Sequence, residues 1–163
     1  MKIGIIIVFY NNERDIDSNL FNGLSSIKNH LQLCLVNNGS EDATLENLEA
    51  LKDTSGLHSA IIDIKQNKGE DAAIKAGARY LFNQNKLKHI AYVNVDKLKA
   101  IHDLHTLLNL IEMNKESIIQ HNLNAMQTRQ IKRLIFKNVF CILEYLNKLE
   151  IKLSYAELNV IHN

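Results

Sequence analysis

Four short polar stretches, each following an apolar run, carry the side chains whose types suit chemistry. They are Tyr10-Asn11-Asn12-Glu13, Asn37-Asn38-Gly39-Ser40-Glu41-Asp42, Asn67-Lys68-Gly69 and Asn94-Val95-Asp96. The second is the most telling. Leu33-Cys34-Leu35-Val36 is too short an apolar run for a helix and meets an Asn-Asn-Gly turn, and Ser40 then stands where it would cap a helix over 41–52. Strand, tight turn and helix N-terminus in succession present backbone N–H groups to a phosphate or another small polar ligand. Alone, Asn-Asn-Gly-Ser is more often an ordinary turn with a helix cap, and Asp96 alone is more often a helix-initiating acid. Their recurrence at four strand ends is what points to a ligand.

The elements that must position these stretches follow from periodicity. Ile3-Gly4-Ile5-Ile6-Ile7-Val8-Phe9 is a β-branched run of the kind covered on both faces of a parallel sheet. Further strands are predicted at Leu33–Val36, Ser59–Ile64 and His89–Val95. Between them, Ile16, Leu20, Leu24 and Ile27, then Leu45, Leu48 and Leu51, then Ala73, Ile74, Gly77, Ala78 and Leu81 recur at helical spacing. The small residues of the last set let that helix lie close to a sheet. Strand starts about 30 residues apart match the size of a βαβ unit, and right-handed crossovers then bring all four polar stretches to the carboxyl edge of one sheet. The predicted class is α/β, a three-layer α/β/α sandwich with a mainly parallel sheet.

After Asp96 the pattern turns helical. Ile101, Leu104, Leu107, Leu108 and Ile111 form one amphipathic stripe, Ser117–Gln120 reads as a short fifth strand, and a long helix is predicted from Thr128 to about Glu150. The tail from Lys152 to Asn163 fits a last strand or a short helix. His102 and His105 flank Asp103, but two histidines three apart with no further ligands in register read as solvated helix residues rather than a zinc pair. Arg129, Lys132 and Arg133 suit either a solvated helix start or contact with lipid phosphates.

Composition narrows the class. The 163 residues are 46% hydrophobic and 23% charged with a formal net charge of +1, which gives no electrostatic case for nucleic acid. One domain spanning 1–163 is expected. Cys34 and Cys141 lie inside apolar runs as buried thiols, which suits a reducing cytoplasm. Neither a signal segment nor an apolar run of about 18 residues is found. Proline is absent, so Asn and Gly carry the turns. No Gly-x-Gly-x-x-Gly follows the first strand, which disfavours a Rossmann dinucleotide site.

Taken in order, Val8-Phe9-Tyr10-Asn11-Asn12-Glu13, Val36-Asn37-Asn38-Gly39-Ser40-Glu41-Asp42, Asn67-Lys68-Gly69 with Ala73 and Gly77 behind it, and Tyr92-Val93-Asn94-Val95-Asp96 resemble the family 2 glycosyltransferases of GT-A fold. The resemblance covers about residues 3–96. Arg129-Gln130-Ile131-Lys132-Arg133 before a long apolar helix is loosely similar to the dolichyl-phosphate-mannose-synthase-like branch. The resemblance implies a nucleotide-diphosphate-sugar donor bound over 1–96, with Phe9, Tyr10 and Glu13 bordering base and ribose. Asn37 stands where the family carries an Asp that contacts the base, with Asn38, Gly39, Ser40 and Asp42 completing that turn. Asn67, Lys68 and Gly69 would run along the nucleotide, and Asn94 and Asp96 take the Asp-x-Asp positions that hold Mg²⁺ or Mn²⁺ against the diphosphate.

Two acids of the family pattern are thus amides here, Asn37 and Asn94. The part after Asp96, 97–163, is a shortened acceptor half in which Glu112, Glu116, Glu144, Glu150 and Glu157 stand in no recognisable base motif. It is expected to supply a homodimer contact or a peripheral membrane contact at the inner membrane surface. The acceptor implied is a lipid phosphate or a polysaccharide, and a phosphate acceptor already ionised needs little proton abstraction. The other reading open at this point is a catalytically silent nucleotide-binding or partner module derived from such an enzyme.

Overall fold

The computed structural model describes residues 2–16, 31–55, 59–85, 87–99, 104–128 and 138–151. Its centre is a parallel sheet of five strands: β1 (Ile3–Phe9), β2 (Leu31–Asn38), β3 (Ser59–Ile64), β4 (His89–Asn94) and β5 (Val139–Cys141). The helices are α1 (Thr44–Ser55), α2 (Glu70–Asn85), α3 (Val95–Lys99), α4 (Leu104–Met113), α5 (Lys115–Thr128) and α6 (Ile142–Lys148). Strand order is β3-β2-β1-β4-β5 with every pairing parallel. The chain steps outward through β2 and β3, then crosses back so that β4 pairs with the free side of β1. That reversal opens a crevice between the carboxyl ends of β1 and β4, the usual ligand position in open α/β sheets.

All seven residues of β1 are buried, as a central strand with helices on both faces requires. Alternation assigns the faces. Ile3, Ile5, Ile7 and Phe9 pack with Leu33, Leu35 and Leu48 and with the helices that follow β4, whereas Ile6, Val8, Cys34 and Val36 pack under α2 through Ala73, Ile74, Ala78 and Leu81. The small-residue face of α2 does what its sequence suggests: a Cβ at Gly77 would stand 2.9 Å from Ile6 Cγ2. The thiol of Cys34 is pushed up to about 12 by burial, so it is an inert core group.

Several expectations are corrected. The helix expected over 41–52 starts at Thr44 and ends at Ser55, because the polar side chains ahead of it are engaged elsewhere. The strand expected at Ser117–Gln120 is part of α5, whose buried Ile118 and Asn122 lie one turn apart on one face. The single helix expected from Thr128 to Glu150 is broken. Val139-Phe140-Cys141 form β5 beside β4, and α6 starts only at Ile142 and closes at Leu149, with Glu150 at a left-handed φ of 55°. The expected helix through Leu20, Leu24 and Ile27, together with His102, Asp103, the basic residues Arg129, Lys132 and Arg133, and the tail from 152, lies outside the described residues. His105 sits in α4 with its ring against the Asn109 amide. Among the described residues no helix is long and apolar enough to cross a membrane.

Candidate functional site

Four loops leave the carboxyl edge of the sheet, and side-chain hydrogen bonds tie each to the next. Asn11 adopts a left-handed φ of 53°, a conformation Asn tolerates better than most residues. Its backbone N–H donates to Ser40 Oγ (3.0 Å) and its Oδ1 accepts from the Glu41 N–H (2.9 Å). The Glu13 N–H donates to Asp42 Oδ2 and the Ala43 N–H donates to Glu13 Oε2, both at 3.1 Å. The Asn12 N–H donates to Thr44 Oγ1 (2.8 Å), and the Asn47 amide donates to the Glu13 carbonyl (3.0 Å). The loop after β1 and the loop before α1 are therefore interlocked, each satisfying the other's backbone.

This interlock changes the reading of the α1 N-terminus. The Glu41, Ala43 and Thr44 amides, ahead of the helix and at its first residue, are among the donors that a phosphate there would meet. Asn11, Glu13 and Asp42 already accept from them. Ser40 and Asp42 are thus positioning residues. Burial opposes ionisation of Asp42, but hydrogen bonds from the Thr44 hydroxyl and from the Glu13 and Thr44 amides outweigh it and hold the carboxyl below its ordinary value.

Asn37 is 2% exposed and sits in register between Phe9 on β1 and Asp63 on β3. Its Nδ2 donates to Asp63 Oδ1 (2.8 Å), and its Oδ1 accepts from the Ser40 N–H (3.3 Å). A carboxylate is therefore present at this edge, one strand away from where the resemblance places it. The hydrogen bond from Lys65, opposed by burial and helped by the weaker one from the Asn37 amide, holds Asp63 below the ordinary carboxylate value. On the opposite face, Asn38 donates to Asn67 Oδ1 (3.2 Å), while its own buried Oδ1 has no partner among the described residues. Gly39, at a φ of 70°, lies so close to the next loop that a Cβ would fall 2.3 Å from the Asn67 nitrogen. Asn67 Oδ1 also accepts from the Gly69 N–H (2.9 Å); Lys68 and Gly69 are exposed.

The β4 end joins through Asn12, which is 3% exposed. Its Oδ1 accepts from the Tyr10 N–H (2.7 Å), and its Nδ2 donates to both Asp15 Oδ2 (3.0 Å) and Asp96 Oδ1 (2.9 Å). Asn94 Oδ1 accepts from the Asp96 N–H (2.9 Å) and so caps α3, while Lys97 approaches Glu70 at the start of α2 (3.6 Å). Among the described residues no cluster of three or more His, Cys, Asp or Glu side chains is placed to hold a metal ion. Asp96 offers one exposed carboxylate. That donor set fits a cation shared with a diphosphate, since Mg²⁺ takes one or two carboxylates with phosphates and water, and does not fit one held by protein alone.

The structure thus gathers Tyr10, Glu13, Asn37, Ser40, Asp42, Asn67 and Asp96 at one edge. Phe9 is set apart, its ring wholly buried in the core, so that only its backbone can border a ligand. Two residues escaped the sequence reading. Asn12 was hidden as the middle of a polar turn. Asp63 had a signal, a lone charge inside Ala60-Ile61-Ile62-Asp63-Ile64.

The glycosyl transferase family 2 model matches residues 4–154. The chain belongs to that family. No curated protein matches it. Among solved structures it is similar to the mannosyltransferase PcManGT from Pyrobaculum calidifontis, in complex with GDP-Man and Mn²⁺. The identity is 18% and the TM-score 0.41, over 48% of this chain and 24% of that one. It is also similar to S. aureus TarS, at 19% identity and a TM-score of 0.44 over 76% of this chain and 20% of that one. TarS 1-349 in complex with UDP-GlcNAc matches at 19% and 0.42, over 71% and 32%. The chain spans between a fifth and a third of the length of these structures. As a family 2 domain it has the α/β architecture with a parallel sheet that its motifs imply.

Proposed function

We propose that this family 2 domain binds a nucleotide-diphosphate sugar at the carboxyl edge of the sheet and takes part in moving the sugar to an acceptor. The observation that carries the reading is the junction of β1 and β4 at the strand-order reversal, where exposed Tyr10 and Asp96 flank buried Asn12. In this reading the Tyr10 ring, 40% exposed, borders the base. Asp63 supplies the carboxylate that Asn37 lacks, and Lys68 runs beside the nucleotide. Asp96 would hold Mg²⁺ or Mn²⁺, which when bound offsets the negative charge that builds on the departing diphosphate. The chain's own residues orient the donor and keep Asp96 in place through Asn12 and Asn94.

Calorimetry with UDP, GDP and their sugars, with and without Mn²⁺, tests this. Binding that Mn²⁺ strengthens, and that loses the gain in Asp96→Ala, is the expected result. Absence of binding to every nucleotide would refute it. A second reading, a silent nucleotide-binding module, is favoured by the use of Asn94 Oδ1 as a helix cap and by the occupied α1 amides. It predicts nucleotide binding without metal dependence and without donor hydrolysis.

A further inference from the structure

Lys97 and Glu70 form a charged pair at the carboxyl edge of the sheet, with the ammonium 3.6 Å from Glu70 Oε1. Lys97 follows Asp96 in α3, and Glu70 opens α2 directly after Asn67-Lys68-Gly69. The pair therefore links the β4 end, where Asp96 stands, to the loop that follows β3. It takes no part in the interlock of Asn11, Glu13, Ser40 and Asp42, so it can open without disturbing that frame.

The contact is loose. Charge-assisted hydrogen bonds from an ammonium to a carboxylate run at about 2.7–2.9 Å, and Glu70 Oε1, although buried, has no hydrogen-bond partner among the described residues. The Lys97 side chain is 58% exposed and that of Glu70 36%. An ion pair so open to water adds little stability, and neither residue belongs to a core cluster. Glu70 also lies in the first turn of α2, where the helix dipole favours its negative charge, so it is not stranded when the lysine leaves. Three amides ahead of and at the start of α1 are already taken by Asn11, Glu13 and Asp42. A mobile cation one residue from Asp96 is then well placed to meet a phosphate.

Resting on the donor-site reading above, we propose that Lys97 binds the donor's diphosphate and that Glu70 holds it in reserve. In the free protein the ammonium rests near the glutamate. On binding it moves to a phosphate oxygen, where a charge-assisted hydrogen bond replaces the long contact. Glu70 and Asp96 then act in opposite senses. Under that reading Asp96 recruits phosphate through a shared cation, whereas Glu70 competes with phosphate for Lys97. No covalent bond is made or broken, and nucleotide affinity is set in part by this exchange.

The test is calorimetric titration of UDP and of GDP, in Mn²⁺, into the unaltered protein, Lys97→Met, Glu70→Gln and the double variant. Lys97→Met should weaken binding of whichever nucleotide the unaltered protein takes about tenfold, the share of one charge-assisted hydrogen bond. Glu70→Gln should strengthen it roughly threefold, the worth of an exposed ion pair. In the double variant that gain should vanish, because no lysine remains to be released. Failure of the unaltered protein to bind either nucleotide would overturn the proposal together with the donor-site reading. Nucleotide binding that is indifferent to Lys97→Met would overturn the proposal alone. So would weaker binding in both single variants, the mark of a purely structural contact, or a Glu70→Gln gain that persists without Lys97, the mark of simple repulsion.

Discussion

Restoring the family acid through Asn37→Asp is expected to destabilise the domain rather than improve its site. In the present protein, Asn37 Nδ2 donates to Asp63 Oδ1 at 2.8 Å, and the Asn37 side chain is essentially buried. The substitution removes the donor and sets two carboxylates against each other. At a separation near 4 Å and an effective dielectric of 20, the repulsion is about 4 kcal/mol. Lys65 beside Asp63 relieves part of it. The proton sets a ceiling: neutralising one carboxyl of ordinary pKa at pH 7 costs about 4 kcal/mol, and at pH 5 about 1.5. The expected loss is thus about 2–4 kcal/mol at pH 7, shrinking to about half that at pH 5. Urea unfolding of both proteins at the two pH values measures it. Exchanging the residues, Asn37→Asp with Asp63→Asn, should restore most of the stability, because one carboxylate and one amide again face each other. A loss under 1 kcal/mol at pH 7, or one that does not shrink at pH 5, would show that the pair is not in hydrogen-bonded contact.

Gly39→Ala should cost about 2–4 kcal/mol in the same assay, from the left-handed backbone and the 2.3 Å approach to Asn67, with a compensating loop shift visible as changed Asn67 and Gly69 amide resonances. Asn12→Ala should cost about 2–3 kcal/mol, since it strands the Tyr10 amide and removes the Nδ2 donor that the Asp15 and Asp96 carboxylates share. The pH dependence has two parts. Asp42 and Asp63 are held below their ordinary values, so their contribution is complete above about pH 4 and is lost as pH falls through the folded values. His89, a base held low, is neutral in the fold while its unfolded counterpart takes a proton, so stability should begin to fall below about pH 6.5. His89→Phe should remove that component from the urea midpoints, leaving the acid limb intact.

The sheet was legible because β1 to β4 are mainly apolar stretches of six to eight residues, long enough to carry a pattern, and each is followed within a few residues by an Asn- or Asp-containing turn. Val139-Phe140-Cys141 was not, because three apolar residues fit a helical stripe as well as a strand, and pairing with Ile90–Tyr92 decides between them. Ser117–Gln120 misled for the opposite reason: two adjacent isoleucines suggest a strand, but burial of Ile118 and Asn122 one turn apart holds the segment in a helix. At the site, the polar stretches were found where the sequence put them. Their use was not legible, since the partners that decide it are 29 or 30 positions away for Asn11 with Ser40 and Glu41 and for Asn38 with Asn67, and 84 away for Asn12 with Asp96.

That usage bears on how an anion could be held at this edge. A helix N-terminus attracts phosphate through free amides and through its dipole. At α1 the Glu41, Ala43 and Thr44 amides are taken by Asn11, Glu13 and Asp42, and two of those acceptors are anionic, so part of the first resource is used and the dipole is matched as well. A diphosphate cannot displace them without unlocking the loop that fixes Asn12, and with it Asp96. Groups the interlock leaves exposed then carry more of any attraction at this edge. Lys68 offers a cation directly, while Asp96 attracts a diphosphate only through a shared metal. Under the proposed donor-binding reading, this arrangement would make affinity more dependent on ionic strength and metal than a helix-dipole cradle would. The same interlock that spends the α1 amides also holds Asp96 toward the strand-order reversal. Preorganisation of Asp96, which shares the Asn12 amide with Asp15, is what the loop sequences specify more plainly than a phosphate cradle.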